Sequence, residues 1–168
     1  MVKTEDLKRI NMLKSMPDHL LEILGQEAQL SIFGSNTQLF TVGDTIDTFY
    51  MLIMGQVALT VALTDDIDVI LDNLQSGRSF GSSALVEGSA ASYTALCQEP
   101  CEVITLEGRR MQALFKTNHE LAYHMMAGVS RQYKKTMDTR ARMIMKTLDQ
   151  NPDLKDSISD IEKLTPAY

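Results

Sequence analysis

The feature that most limits the fold of this chain is the spacing of its apolar residues. Between residues 26 and 106 the period is two, in seven short runs at 30–33, 39–42, 48–54, 57–63, 68–74, 93–98 and 101–106. Such a period suits a strand, whose successive side chains face opposite sides. In the fourth run Val57, Leu59, Val61 and Leu63 take one face, and Ala58, Thr60 and Ala62 the other. Turn formers separate the runs: Gly34-Ser35-Asn36, Gly43-Asp44, Gly55, Asp65-Asp66, Gly77 and Glu99-Pro100. Many short strands at even spacing make a sandwich or jelly roll, here of about eight strands.

On both sides of this region the period returns to 3.6. Thr4 caps a first helix carrying Leu7, Ile10 and Leu13. Ser15-Met16-Pro17-Asp18 resembles a capping box for a second helix, with Leu20, Leu21, Ile23 and Leu24 before a stop at Gly25. His19 reads as a solvated polar residue. After Gly108 a short helix over 109–117 points Met111, Leu114 and Phe115 inward. A long helix follows over 119–148, with Ala122, Met126, Val129, Tyr133, Met137, Ala141, Ile144 and Leu148 spaced by three or four. About 45 Å of helix is more than a small roll covers. The stripe therefore seals a homodimer, or else lies on its own roll. Asn151-Pro152 starts a tail helix bearing Leu154, Ile158 and Ile161. The domain reading is 1–25 N-terminal helical segment, 26–118 β-roll, 119–148 long dimerisation helix and 149–168 tail. The fold class is mainly β with flanking helices, a β-roll or jelly roll.

Composition excludes several functions. The net charge of −6 argues against a chain that binds nucleic acid over its whole surface. The 20 residues after Leu148 are too few for a helix-turn-helix, so direct DNA binding is not expected. No apolar run is long enough to span a membrane, and the acidic start Glu5-Asp6 does not suit a signal peptide. Cys97 and Cys101 read as reduced thiols, which fits a cytoplasmic protein. His19, His119 and His124 belong to no catalytic or zinc-spaced arrangement, and there is no phosphate-binding Walker loop, so the expectation is a non-enzyme without a metal. The long helix is basic, with Arg131, Lys134, Lys135, Arg140, Arg142 and Lys146 against Glu120 and Asp138. That pattern is a solvated face, or a docking face for an acidic protein partner or for the chain's own acidic roll; the tail is a second candidate for docking.

One stretch, 80–94, carries the chemistry. Phe80-Gly81-Ser82-Ser83-Ala84-Leu85 is a loop feeding a helix start, where backbone N–H groups cradle an anion. Ahead of it, residues 40–57 follow F-x-x-G-D-x-I-x-x-x-Y-x-L-x-x-G-x-V from Phe40 to Val57. Together these resemble the cyclic-nucleotide-binding domain family of catabolite-activator regulators, kinase regulatory subunits and gated channels, over roughly residues 5–148. The resemblance sharpens the fold to a cupin-like double-stranded roll and implies a ligand-sensing roll whose long helix forms the dimer seam. It also implies a cassette F-G-E-x-A-L in which Glu takes the ribose hydroxyl, followed by an Arg that takes the cyclic phosphate. Here Ser82 stands at the Glu position and Ala91 at the Arg position, with Ser92 as the small residue after it. Neither replaces a bidentate guanidinium–phosphate contact. Phe80, Gly81, Ala84, Leu85, Gly88 and Ser92 keep the small-residue frame, and Ser82, Ser83, Ser92, Tyr93 and Thr94 line the cassette with neutral groups. Arg78 is the candidate to reach inward for the lost Arg. His124 beside Met125-Met126 reads either as packing or as the donor set that haem-bearing relatives place near this helix. No cofactor is firmly implied. The ligand is a cyclic nucleotide or another small molecule, and the alternative is a ligand-free dimerising scaffold.

Overall fold

A computed structural model describes residues 1–64, 67–86, 90–151 and 153. The helices are α1 (Thr4–Lys8), α2 (Asp18–Glu27), α3 (Gly108–Thr117) and α4 (His119–Gln150). Eight strands lie among the described residues: β1 (Gln29–Phe33), β2 (Gln38–Phe40), β3 (Thr48–Met54), β4 (Val57–Thr64), β5 (Ile67–Leu74), β6 (Ser79–Phe80), β7 (Thr94–Cys97) and β8 (Cys101–Glu107). They form two antiparallel four-stranded sheets, ordered β1-β8-β3-β6 and β2-β7-β4-β5. The period-two runs thus build a sandwich with flanking helices and a long C-terminal helix. Two compact units are distinguished, Met1–Val129 and Ser130–Tyr168. The tail expected over 154–168 lies outside the described residues, as does its Pro152.

In the first unit β3 is covered on both faces. Tyr50 pairs with Phe80 and Met51 with Ser79. Tyr50 stacks on Phe80 at 4.9 Å, and Phe40 of the opposite sheet tilts against both, so this face looks into the roll. Met51 and Ser79, one residue out of phase, look the other way, where Ser79 Oγ donates to Met12 Sδ at 3.1 Å. There the N-terminal residues Leu7, Ile10, Leu13, Leu20, Leu21 and Leu24 join Leu121 and Met125 of α4 in one fully buried core. Burial of this kind, about 25 cal/mol per Å² of apolar surface, fixes which face of each element turns inward.

Three helix expectations change. Leu7, Ile10 and Leu13 are all buried, but on two short pieces, because the Asn11 N–H donates to the Gly77 carbonyl at 2.8 Å and α1 stops before it. The second helix begins at Asp18, with Pro17 rather than Ser15 at its N-cap position and no side-chain cap there. It also runs through Gly25 to Glu27: that glycine is there because the Val2 carbonyl rests on its Cα, and the Val2 N–H donates to its carbonyl. Strand β6, two residues long, was not expected as a strand. Asn118 Oδ1 accepts the Leu121 N–H at 2.9 Å and starts α4, as a side-chain acceptor at a helix N-terminus does.

The stripe along α4 also divides. Its core-facing residues are Leu121, Met125, Gly128 and Val129, with Met12 closing on Gly128. Val129, expected on the dimer face, is instead a core residue of the first unit, since the N-terminal segment uses this end of the helix. Ala122 is half-buried, and Met126, Tyr133, Met137, Ala141 and Ile144 are exposed.

Two glycines bear directly on the roll. Gly77 (φ +87°) and Gly81 (φ +72°) both sit in the left-handed region, which costs other residues about 1–3 kcal/mol. A Cβ on Gly77 would meet the Asn11 side chain at 2.9 Å, which can swing away, and the Arg9 carbonyl at 3.2 Å, which needs to give only a few tenths of an ångström; one on Gly81 would meet the Thr48 carbonyl at 2.8 Å, a backbone atom that must shift further. Gly81→Ala should therefore lower the urea midpoint more than Gly77→Ala; equal losses would show that backbone strain alone sets the cost.

Cys97 and Cys101 face each other across the β7–β8 turn, both buried. Cys101 Sγ lies near the Gln56 and Glu99 carbonyls at 3.4 and 3.2 Å. Burial first, then the neighbouring Cys101, raise the Cys97 thiol from about 9 to about 12. A folded pKa above the unfolded one means that stability is lost as pH rises from the unfolded value towards the folded one. Unfolding free energy should fall between about pH 9 and 12, and Cys97→Ala should fall less steeply. Identical slopes in the two proteins would refute this assignment.

Candidate ligand site inside the roll

The cassette is held from three sides. Phe80 ends β6, Gly81 turns left-handed, and Ser82–Leu85 forms a single 3-10 turn rather than the start of a longer helix. Ala84 and Leu85 are buried and join the core, while Ser82 and Ser83 are half-buried. Gln112 of α3 donates from Nε2 to the Ala84 carbonyl at 2.9 Å, and Gly108 rests against the same carbonyl. The Gly108 N–H in turn donates to the Asp47 carbonyl at 2.7 Å. Gly88 lies outside the described residues.

From Ala90, which bridges Thr45, the chain runs beside the turn at Gly43-Asp44. Ala91 donates its N–H to the Asp44 carbonyl and accepts from the Gly43 N–H, each at 2.8 Å, and is only 5% exposed. Asp44 accepts from the Thr41 N–H and hydroxyl, both at 2.8 Å, and those hydrogen bonds hold its carboxyl below the usual range. Ser92 is exposed. The Thr94 hydroxyl accepts the Val42 N–H at 3.3 Å, so one of the neutral groups expected to meet a ligand already serves the fold. Tyr93 is half-buried, its ring 5.8 Å from that of Phe40. Phe40, Tyr50, Phe80 and Tyr93 thus form one aromatic quartet between the sheets, and burial pushes the Tyr50 phenol up.

Arg78 belongs to the same interior. Gly77 and Arg78 together oppose Leu52: the Gly77 N–H donates to the Leu52 carbonyl and the Leu52 N–H to the Arg78 carbonyl, both at 2.8 Å. With Gly77 left-handed this is a one-residue bulge of the glycine type, and it sets Arg78 on the Leu52 and Phe80 side. From the other sheet Asp72 pairs with Leu59 and Leu74 with Val57, all on one face. The guanidinium Nη2 of Arg78 lies 3.3 Å from the Asp72 carboxylate, with the two side chains 29% and 24% exposed. Arg78 was singled out from the sequence and Asp72 was missed. Its signal is the phase of 68–74, where a carboxylate two residues before Leu74 must share the inward face.

The remaining candidates do not gather. His19 Nε2 is 3.3 Å from Glu120, and the His124 ring meets Tyr123 edge-on at 5.5 Å. Met125 is buried while Met126 is exposed, so the two sulfurs do not join His124 in a donor set. No metal-holding group of His, Cys, Asp or Glu occurs among the described residues, and no helix there is long and apolar enough to cross a membrane.

Known proteins place this geometry. The sequence profile of the cyclic nucleotide-binding domain matches residues 31–118. The cAMP-activated global transcriptional regulator CRP of Pasteurella multocida is 28% identical over 120 residues, covering 71% of this chain and 57% of that protein. The chain therefore spans less than two-thirds of that relative. Among solved structures, a Geobacter metallireducens protein named for cyclic nucleotide binding superposes with a TM-score of 0.72 at 20% identity, over 82% of this chain and 99% of its own. The c-di-GMP-responsive global regulator CLP of Xanthomonas campestris gives 0.68 at 20% identity, over 88% and 71%. Sandwich, cassette and a profile match over more than half of the residues agree: this chain belongs to the cyclic nucleotide-binding domain family.

Proposed function

We propose that this chain is a regulatory module of the cyclic nucleotide-binding family that senses a small molecule in its roll without a cyclic-phosphate grip, and signals through α4 as a homodimer. The observation that carries this reading is electrostatic. Between residues 26 and 108 Arg78 is the single basic residue, against eleven Asp and Glu, and it lies against Asp72. With Ala91 closed into the core where the family pattern has Arg, and Ser82 where it has Glu, an anionic ring meets no unopposed cation. The aromatic quartet favours a flat ligand that stacks and accepts neutral hydrogen bonds. The second reading, a scaffold without ligand, is favoured by the same quartet filling its own interior. The dimer is supported by Met137 and Ile144, 69% and 60% exposed on one side of a helix.

Thermal shift with cyclic mononucleotides, cyclic dinucleotides and neutral nucleosides separates the two, because a ligand of the native state must raise the melting temperature. A panel without any shift leaves the scaffold. In calorimetry cyclic AMP should bind about tenfold to over a hundredfold more weakly than to a site with the guanidinium contact, since a charge-assisted hydrogen bond is worth about 1.5–3 kcal/mol. Submicromolar affinity would sink the reading. Sedimentation should give a dimer, and Met137→Glu with Ile144→Glu should give a monomer that keeps the wild-type circular dichroism spectrum and melts lower than the dimer, whose association stabilises the folded state. A wild type that stays monomeric at tens of micromolar refutes the dimer.

A further inference from the structure

Resting on the absence of a cyclic-phosphate grip argued above, we propose that Asp72 is the specificity-determining residue that keeps anions out of the roll: its carboxylate occupies Arg78 as an internal substitute for a ligand's phosphate. Both side chains face the space between the sheets, Arg78 through the Gly77 bulge and Asp72 through its register with Leu59. They join opposite sheets at 3.3 Å and are about three-quarters shielded. At that depth water screens the pair less than at the surface, and a guanidinium binds carboxylate and phosphate through the same fork of donors.

Competition explains the selectivity. A phosphate arriving from solution must displace a carboxylate tethered next to the guanidinium, present at a high effective concentration. It must also accept the repulsion of that carboxylate once displaced. A neutral ligand meets neither cost. The roll would thus discriminate by charge before it discriminates by shape, and the discrimination resides in one residue of β5.

Removing the charge while keeping the size should open an anion site. Calorimetry of inorganic phosphate, cyclic AMP and adenosine against wild type, Asp72→Asn, and Asp72→Asn with Arg78→Gln is the test. Asp72→Asn should gain at least about tenfold in affinity for cyclic AMP, the worth of one charge-assisted contact. Inorganic phosphate should gain in parallel, adenosine should not, and Arg78→Gln should abolish the gain. Asp68→Asn, the same change of charge at an exposed position of β5, should gain nothing. If Asp72→Asn does not fold, Asp72→Ser is read in the same way, with circular dichroism to confirm the fold. A folded Asp72 variant that binds no better than wild type, or a gain that survives loss of Arg78, overturns the proposal. Tight binding of cyclic AMP by wild type is a separate result, against the reading of the preceding section, because this inference stands on the difference between wild type and variant.

Discussion

Two sheets share one interior, and any polar group placed there must bring its own partner, since burying it unpaired costs more than most single contacts return. Arg78 answers this with Asp72, supplied by the opposite sheet. Ser79 answers it on the other face with Met12. At the rim, the Ala91 backbone closes on Gly43-Asp44 and the Thr94 hydroxyl takes the Val42 N–H. On the function proposed above, several of the groups open to a ligand, among them the Arg78 guanidinium and the Thr94 hydroxyl, are already engaged by the fold. A roll that satisfies itself in this way binds only what can outcompete its own contacts.

Most of the architecture was legible because alternation of apolar residues is a direct consequence of the pleat. The run 48–54 coincides with β3, whose covering on both faces is why Met51, Leu52 and Ile53 are all buried. Strand β6 escaped notice because two residues cannot display a period. Gly25 misled for a different reason. Glycine marks both a helix end and a close approach of backbones, and only the position of Val2 distinguishes them. The first helix broke because a tertiary hydrogen bond to Gly77 took the Asn11 N–H, which no local pattern announces.

Of the candidate site, the backbone framework was legible and the Arg78 pairing was not. The glycine and small residues around Phe80 reveal the cassette, since each permits a backbone to come close. Which charge meets Arg78 depends on a strand that sequence order leaves remote in register: Asp72 is six residues away, across a turn and a bulge. The exposed stripe of α4 shows the same limit. Spacing fixed its period, but Val129 belongs to the core because the N-terminal segment occupies the first turns.

The bulge at Gly77 sorts the side chains on its strand. By absorbing one residue it sets the phase of everything from Arg78 to Phe80, so that the guanidinium and the ring enter the layer between the sheets while Ser79 enters the helical layer. A strand without the bulge would run one step out of phase, and a hydroxyl would exchange places with a cation and an aromatic ring. Both layers would then hold the wrong chemistry at once. The left-handed turn of a single residue thus acts as the address label for Arg78, the one basic residue between positions 26 and 108.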